Sequence, residues 1–453
     1  MNTMTTPVPT HLGPLARDDK AAAPVRPPGA PALLRGWRPR SGDLRAAWVS
    51  SIVMVPQAVA FAVIAGLPPE MGLYASVVPV IVAALLGASP RLLSGPNTAV
   101  SVMIAAALLP LAAPGGCDYL ALVAVLSVMV GVTQLVFAAC GAGGLLALLP
   151  PFVSHGLTAG IGFVMIGSQL APATGVLSLP EASPWLSAWS VLIDHAAMNP
   201  FSITVAVSAL VAGHLCGRYR VPGLPPLVAA MVGGSLMAWL LDLLFGAAVA
   251  NIDRIGHLQV LLLPWSMPDL RWHEWFVIKQ LAYSAVAIAV VGGLQTVVIS
   301  RAVCGDDPRA QNPRRELLAQ GMANLSAAFT GGFAGSGSFN RTAAHVKAGA
   351  ETRLAGVLSS VLLLLLAWLA GPLFAYIALP AVAGTIALIG WGMLRSGLQA
   401  IWPDRGFARV AALCTVVAAL LIGVESSLTL VALLGFLSLV LAHRTPVAVK
   451  DQP

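Results

Sequence analysis

Arg341 stands inside the stretch Gly331-Gly-Phe-Ala-Gly-Ser-Gly-Ser-Phe-Asn-Arg-Thr342, which opens an apolar run too short to cross a bilayer. A guanidinium at membrane depth is costly unless it is paired or faces water, so such an arginine is a functional-site candidate by default. No Asp or Glu lies in the same segment to pair with it. Ser338 and Asn340 are natural helix-capping types, suited equally to closing a helix end and to touching a ligand. A second stretch, Arg91-Leu-Leu-Ser-Gly-Pro-Asn-Thr98, has the same design: Gly and Pro precede a short apolar run that opens at Asn97 and Thr98. Irregular backbone at membrane depth survives only where it is buried in protein or lines a cavity. Two half-helices meeting there would aim amide N–H groups and positive dipole ends at one ligand, which favours an anion. The Gly run before Ser338 lacks the G-K-[ST] ending of a phosphate loop. His155, His195, His214, His257, His273 and His345 are scattered, and no H-E-x-x-H or paired-carboxylate cluster occurs within the spans. Cys117, Cys140, Cys216, Cys304 and Cys414 are widely spaced, without metal-ligand pairing. We therefore expect no metal, no cofactor and no enzymatic activity.

The elements that must position these residues are membrane helices. Of 453 residues, 58% are hydrophobic and 9% charged, whereas a soluble domain carries about 25% charge. At about 20 residues per span the chain holds around fourteen spans and no sizeable extramembrane domain. Apolar runs fall at 45–64, 71–88, 97–112, 119–139, 145–168, 200–217, 225–248, 276–300, 314–330, 338–348, 354–370, 373–394, 407–423 and 426–442. The third and tenth are the short ones, and they occupy corresponding places in a seven-plus-seven arrangement, the sequence pointer to a transporter's midplane site. Residues 1–42, with the Pro-rich run from Pro24 to Pro31, read as a disordered tail. Residues 43–444 form the transport domain and 445–453 a second cytoplasmic tail. The net charge of +7 is spread between apolar runs, not gathered in one patch, so it reports topology and no nucleic-acid partner. With the amino-terminus inside, the outside receives only Arg254, Arg271 and Lys279 among the basic residues assigned to loops. This predicts an even number of spans, both termini cytoplasmic, in the inner membrane.

At these residues the chain resembles the sulfate permease anion transporters, solute carrier family 26 in animals. The resemblance is carried by Asp43-Leu-Arg-Ala-Ala, Val55-Pro-Gln-Ala-Val-Ala-Phe-Ala62, Ala65-Gly-Leu-Pro-Pro-Glu-Met-Gly-Leu-Tyr74, Ser94-Gly-Pro96, Ser336-Gly-Ser-Phe-Asn-Arg-Thr342 and Ala348-Gly-Ala-Glu-Thr352. It covers the membrane portion from about Asp43 to Arg444. It implies an all-α polytopic fold of fourteen transmembrane segments in two inverted seven-segment repeats, with short strands before two half-helices. It also implies a core domain rocking against a gate domain in an elevator-like motion, and an anion held between the third and tenth half-helices. Position by position it assigns Gln57 and Phe61 to the pocket wall, Asn97 and Thr98 to the third half-helix, and Ser338, Phe339, Asn340 and Arg341 to the tenth. Gln57 would donate or accept, Phe61 would shape an apolar rim, Ser338 and the amides near Asn340 would donate, and Arg341 would supply positive potential.

Two departures stand out. The eighth segment reads Val290-Val-Gly-Gly-Leu-Gln-Thr-Val297, with Gln295 in the pocket where many relatives carry a carboxylate. A desolvated sodium ion prefers hard oxygen ligands that include a carboxylate, so sodium coupling is not expected. Relatives also usually continue into a cytoplasmic STAS domain, whereas this sequence stops at Pro453. The reading is a secondary transporter of a small anion (sulfate, bicarbonate or a dicarboxylate) in a lipid bilayer, compatible with a homodimer. The alternatives are an anion channel on the same scaffold and a nucleobase symporter of the same fold.

Overall fold

The computed structural model describes residues 40–141, 151–176, 198–219, 221, 224–254, 275–304, 312–403 and 406–421. The fourteenth predicted segment and both tails, apart from residues 40–42, lie outside them. The principal helices are α1 Ser41–Ile64, α2 Pro69–Ala75, α3 Val78–Leu86, α4 Thr98–Leu108, α5 Cys117–Ala139, α6 Pro151–Ser168 and α7 Pro200–Tyr219. They continue with α8 Pro226–Phe245, α9 Trp275–Cys304, α10 Pro313–Phe329, α11 Phe339–Lys347, α12 Arg353–Ala370, α13 Leu379–Ile401 and α14 Phe407–Leu421. Seven spans among the described residues are long and apolar enough to cross a membrane. Trp239, Leu243, Leu244, Trp391 and Val410 turn outward on α8, α13 and α14, the arrangement of helices whose outer faces meet lipid.

The second predicted segment is a single span, Pro69–Leu86, interrupted between α2 and α3, where Pro79 in the first turn of α3 has no N–H to continue the ladder. The structure corrects the twelfth, which does not begin at 373. Gly371–Tyr376 forms a 3-10 turn and α13 starts at Leu379 with Pro380 in its first turn, where a proline's missing donor costs nothing.

The helices sort into two groups by their main contacts. In one, α1 packs on α12 and α11, α3 on α10 and α12, and α5 on α10 and α9. In the other, α6 packs on α13 and α14, and α7 on α8 and α13. Small residues permit the close approaches, as expected for helices that associate through van der Waals contact.

Asp43 ties the first group together at one end. Its carboxylate accepts from the backbone N–H of Arg40 at 3.0 Å, of Glu351 at 2.9 Å and of Thr352 at 3.0 Å, and from the Thr352 hydroxyl at 2.7 Å. One buried side chain thus caps α1 and fixes the loop that leads into α12, beside the Arg40–Glu351 ion pair. Asp43→Ala strands four donors at once. We expect it to lower unfolding stability by about 2 to 3 kcal/mol, read as a lower thermal midpoint in detergent; an unchanged midpoint would contradict this role.

Candidate functional site

The third and tenth predicted segments are helices of 11 and 9 residues, α4 and α11. At 1.5 Å per residue these are about 16 and 14 Å long, each roughly half of a ~30 Å hydrocarbon core. Their amino-terminal ends meet. Gly95 N–H donates to the Ser336 carbonyl at 3.0 Å and Ser336 N–H to the Gly95 carbonyl at 2.9 Å, while Ser338 N–H reaches Leu93 O at 3.3 Å. Thr342 Oγ1, one turn into α11, accepts from Leu93 N–H at 3.1 Å.

The expected short strands are not formed: among the described residues the segments before α4 and α11 are extended backbone without an assigned strand. Leu93 N–H goes to Thr342 Oγ1 and not back to the Ser338 carbonyl, so no second reciprocal pair forms beside Gly95–Ser336. Glycine is required at this crossing. Gly95 has φ +127°, and a Cβ there would lie 2.8 Å from Arg341 Nη1; a Cβ on Gly335 would lie 2.3 Å from Gly95 O.

Arg341 is 1% exposed, and its three side-chain nitrogens have no hydrogen-bond partner among the described residues. Its guanidinium carbon lies 5.7 Å from the centroid of the Phe61 ring, within cation–π range. Gln57 lies one turn before Phe61 on α1, buried, with Oε1 unpartnered among the described residues. Phe61 and Arg341 are therefore in contact, and Gln57 precedes Phe61 on the same helix. Thr98 is buried at the first position of α4. Ser338 holds the N-cap position of α11 without making a side-chain cap bond. The side chains of Phe339 and Asn340 lie outside the described set.

Asn97 and Gln295 meet directly. Asn97 Oδ1 accepts from Val100 N–H at 3.0 Å, capping α4, and its Nδ2 donates to Gln295 Oε1 at 2.8 Å and to the Gly337 carbonyl at 3.2 Å. Asn97 Nδ2 also bonds Ser336 Oγ, which lies 2.9 Å from Gln295 Oε1. Thr296 Oγ1 accepts from Gly337 N–H at 3.0 Å.

Sequence reasoning missed the buried amides that hold the crossing from behind. Gln320 on α10 accepts from Ser94 Oγ and donates to the Gly335 carbonyl at 2.9 Å. Asn324, one turn on, accepts from Gly335 N–H at 2.9 Å and donates to Gln134 of α5 at 2.8 Å. Ser127 of α5 accepts from Ala334 N–H at 2.9 Å. Three amides spaced along apolar helices were the available signal, since a buried polar group must find a partner.

The arrangement is thus a buried, unpaired cation beside two helix amino-termini and a set of amides and hydroxyls, the chemistry of an anion site. Comparison with known proteins gives the following. Residues 41–418 match the sulfate permease family. A probable sulfate transporter of Mycobacterium tuberculosis is 32% identical over 357 residues, which are 78% of this chain and 61% of that one. The bicarbonate transporter BicA of a Picosynechococcus species is 26% identical over 78% of this chain and 62% of its own. The chain thus spans about three-fifths of the length of these relatives. Among solved structures, the transmembrane domain of a cyanobacterial bicarbonate transporter BicA superposes with a TM-score of 0.76 at 22% identity, covering 87% of this chain and 98% of that one. Murine Slc26a9 in its inward-facing state gives a TM-score of 0.78 at 17% identity, over 90% of this chain and 70% of that one. These two likenesses carry the fold.

Proposed function

Because the chain belongs to the sulfate permease family, we propose that it is a secondary active transporter of a small anion, with sulfate, bicarbonate and small dicarboxylates as substrates in that order. In this reading the anion sits between the amino-termini of α4 and α11, in contact with Gln57, Phe61, Asn97, Thr98, Gln295, Ser338, Phe339, Asn340 and Arg341. The observation that carries it is Arg341, a buried guanidinium with no hydrogen-bond partner among the described residues. An unpaired charge in a low-dielectric interior costs several kcal/mol, and an anion at the crossing is what would offset that cost. The half-helices form the third and tenth of fourteen segments in two inverted repeats, and the helix group of α1–α5 and α9–α12 slides as an elevator against α6–α8, α13 and α14. The transport domain spans 43–444 of an inner-membrane protein with both ends cytoplasmic.

Uptake of labelled anions into proteoliposomes tests this. Saturable uptake of at least one of sulfate, bicarbonate or a dicarboxylate is expected, indifferent to an imposed sodium gradient. Unsaturable flux would favour a channel, and robust sodium-driven accumulation would mean that backbone carbonyls complete a cation site which Gln295 and Thr296 do not reveal. Orientation is tested separately: a cysteine near Pro222 should react only from the cytoplasmic side and one near Asp253 only from outside, and the opposite labelling in intact cells would reverse the topology.

A further inference from the structure

At the crossing of α4 and α11 one amide is oriented from two sides. The N–H of Val100 can only donate, so the Asn97 atom 3.0 Å away is the oxygen. The carbonyl of Gly337 can only accept, so the Asn97 atom 3.2 Å from it is the nitrogen. Amide orientations are assigned from hydrogen-bond networks, and this network leaves one solution.

The consequence passes to Gln295. The atom that meets Asn97 Nδ2 at 2.8 Å must be Oε1. Asn97 Nδ2 shares its two hydrogens among Gln295 Oε1, Ser336 Oγ and the Gly337 carbonyl, and the Ser336 hydroxyl turns its own hydrogen to the same Gln295 oxygen, 2.9 Å away. Both lone pairs of that oxygen are then occupied. Gln295 is half-buried on α9, and among the described residues its Nε2 has no hydrogen-bond partner. What α9 turns to the pocket is a pair of N–H donors.

We infer that Asn97 and Ser336 are positioning residues that lock Gln295 as a donor, so that α9 receives an oxyanion through an oxygen carrying no proton. The inference rests on the reading of this crossing as the anion site. A freely rotating glutamine would offer its oxygen as readily as its nitrogen, and a glutamate would offer only oxygens unless protonated. The lock favours anions of the sulfate class, in which every oxygen is an acceptor at neutral pH. A proton-bearing anion such as hydrogen carbonate must turn its hydroxyl elsewhere, and Gln57 Oε1 on α1, buried and unpartnered, is an acceptor available to it.

A double-mutant cycle on labelled-sulfate binding to the purified chain tests the relay. Asn97→Ser retains an N-cap for α4 but removes the amino group that orients Gln295. Gln295→Leu removes the donor itself. Each is expected to weaken sulfate binding about tenfold, the scale of one net hydrogen bond. The double variant should bind about as well as Gln295→Leu alone, because residues that act through one another are not additive. Losses that multiply to about a hundredfold would overturn the relay. A second arm does not depend on Asn97→Ser folding: Gln295→Glu should bind sulfate more tightly as pH falls from about 8 to 6 while the parent stays flat, since only a protonated carboxyl donates. A flat profile for Gln295→Glu would also overturn the lock. A parent that binds neither sulfate, bicarbonate nor any dicarboxylate overturns the anion-site reading itself, whereas a parent that binds with an additive cycle removes the relay alone.

Discussion

Arg341→Ala is expected to lower anion affinity by roughly ten- to a hundredfold, the loss of one charge-assisted interaction of about 1.5 to 3 kcal/mol, while the ligand-free protein unfolds no more easily than the parent. The two halves of this result come from one fact. The guanidinium is 1% exposed, and among the described residues its three side-chain nitrogens lack partners, so in the empty protein it is a desolvated charge that opposes folding. Truncation removes that penalty and leaves a cavity beside Phe61 and Gly95, and the two terms oppose each other. Arg341→Lys restores charge but not the planar fork, so it should recover affinity only in part. The measurements are labelled-anion binding and thermal unfolding with and without sulfate. Unchanged uptake of every anion by the alanine variant would return Arg341 to a structural role, and a large drop in ligand-free stability would mean that it has a partner in the folded protein.

Gln320→Leu is expected to destabilise the protein by about 3 kcal/mol and to reduce anion binding with it, although Gln320 is not among the residues proposed to touch the anion. Its side chain is 2% exposed and bonds Ser94 Oγ ahead of α4 and the Gly335 carbonyl ahead of α11. Leucine fills nearly the same volume but leaves both groups buried without partners, each at about 1 to 3 kcal/mol. The extended stretches then lose the brace that holds the two helix ends opposed. Gln320→Glu keeps the acceptor for Ser94 and loses the donor to Gly335, so it should fall between. Thermal unfolding and sulfate binding on the same preparations decide the matter. A destabilised variant with full affinity would show that the crossing holds its shape without this amide.

The composition alone dictates a membrane protein. With 9% charge there is not enough polar surface to solvate a globule of this length, and backbone satisfaction in lipid then demands helices. The two Gly- and Pro-rich interruptions were legible for the same reason: they are the places where an otherwise continuous apolar pattern cannot continue as helix. The identity of Arg341 as an exceptional residue was likewise local, since an arginine in a short apolar segment has few alternatives. The element boundaries were less secure where a proline sits near a helix start. Pro79 and Pro380 end or begin helices according to which neighbouring carbonyls are already bonded, a matter of three-dimensional context.

What the sequence could not determine is partnership across long separations. Asn97 and Gln295 are 198 residues apart, and Ser94 and Gln320 are separated by 226; nothing in either neighbourhood names the other. The sequence marked Asn97 and Gln295 each as a pocket residue, and only the tertiary structure decided that one orients the other, because an amide's two ends are told apart by what lies against them. The strands expected before the half-helices failed for a similar reason: extended backbone is a local property, but a ladder needs reciprocal bonds at alternate positions, and Leu93 N–H is taken by the Thr342 hydroxyl, 249 residues away in sequence. Residue types determined which groups could not be left alone in lipid; the fold decided which of them satisfy one another and left Arg341 without a partner.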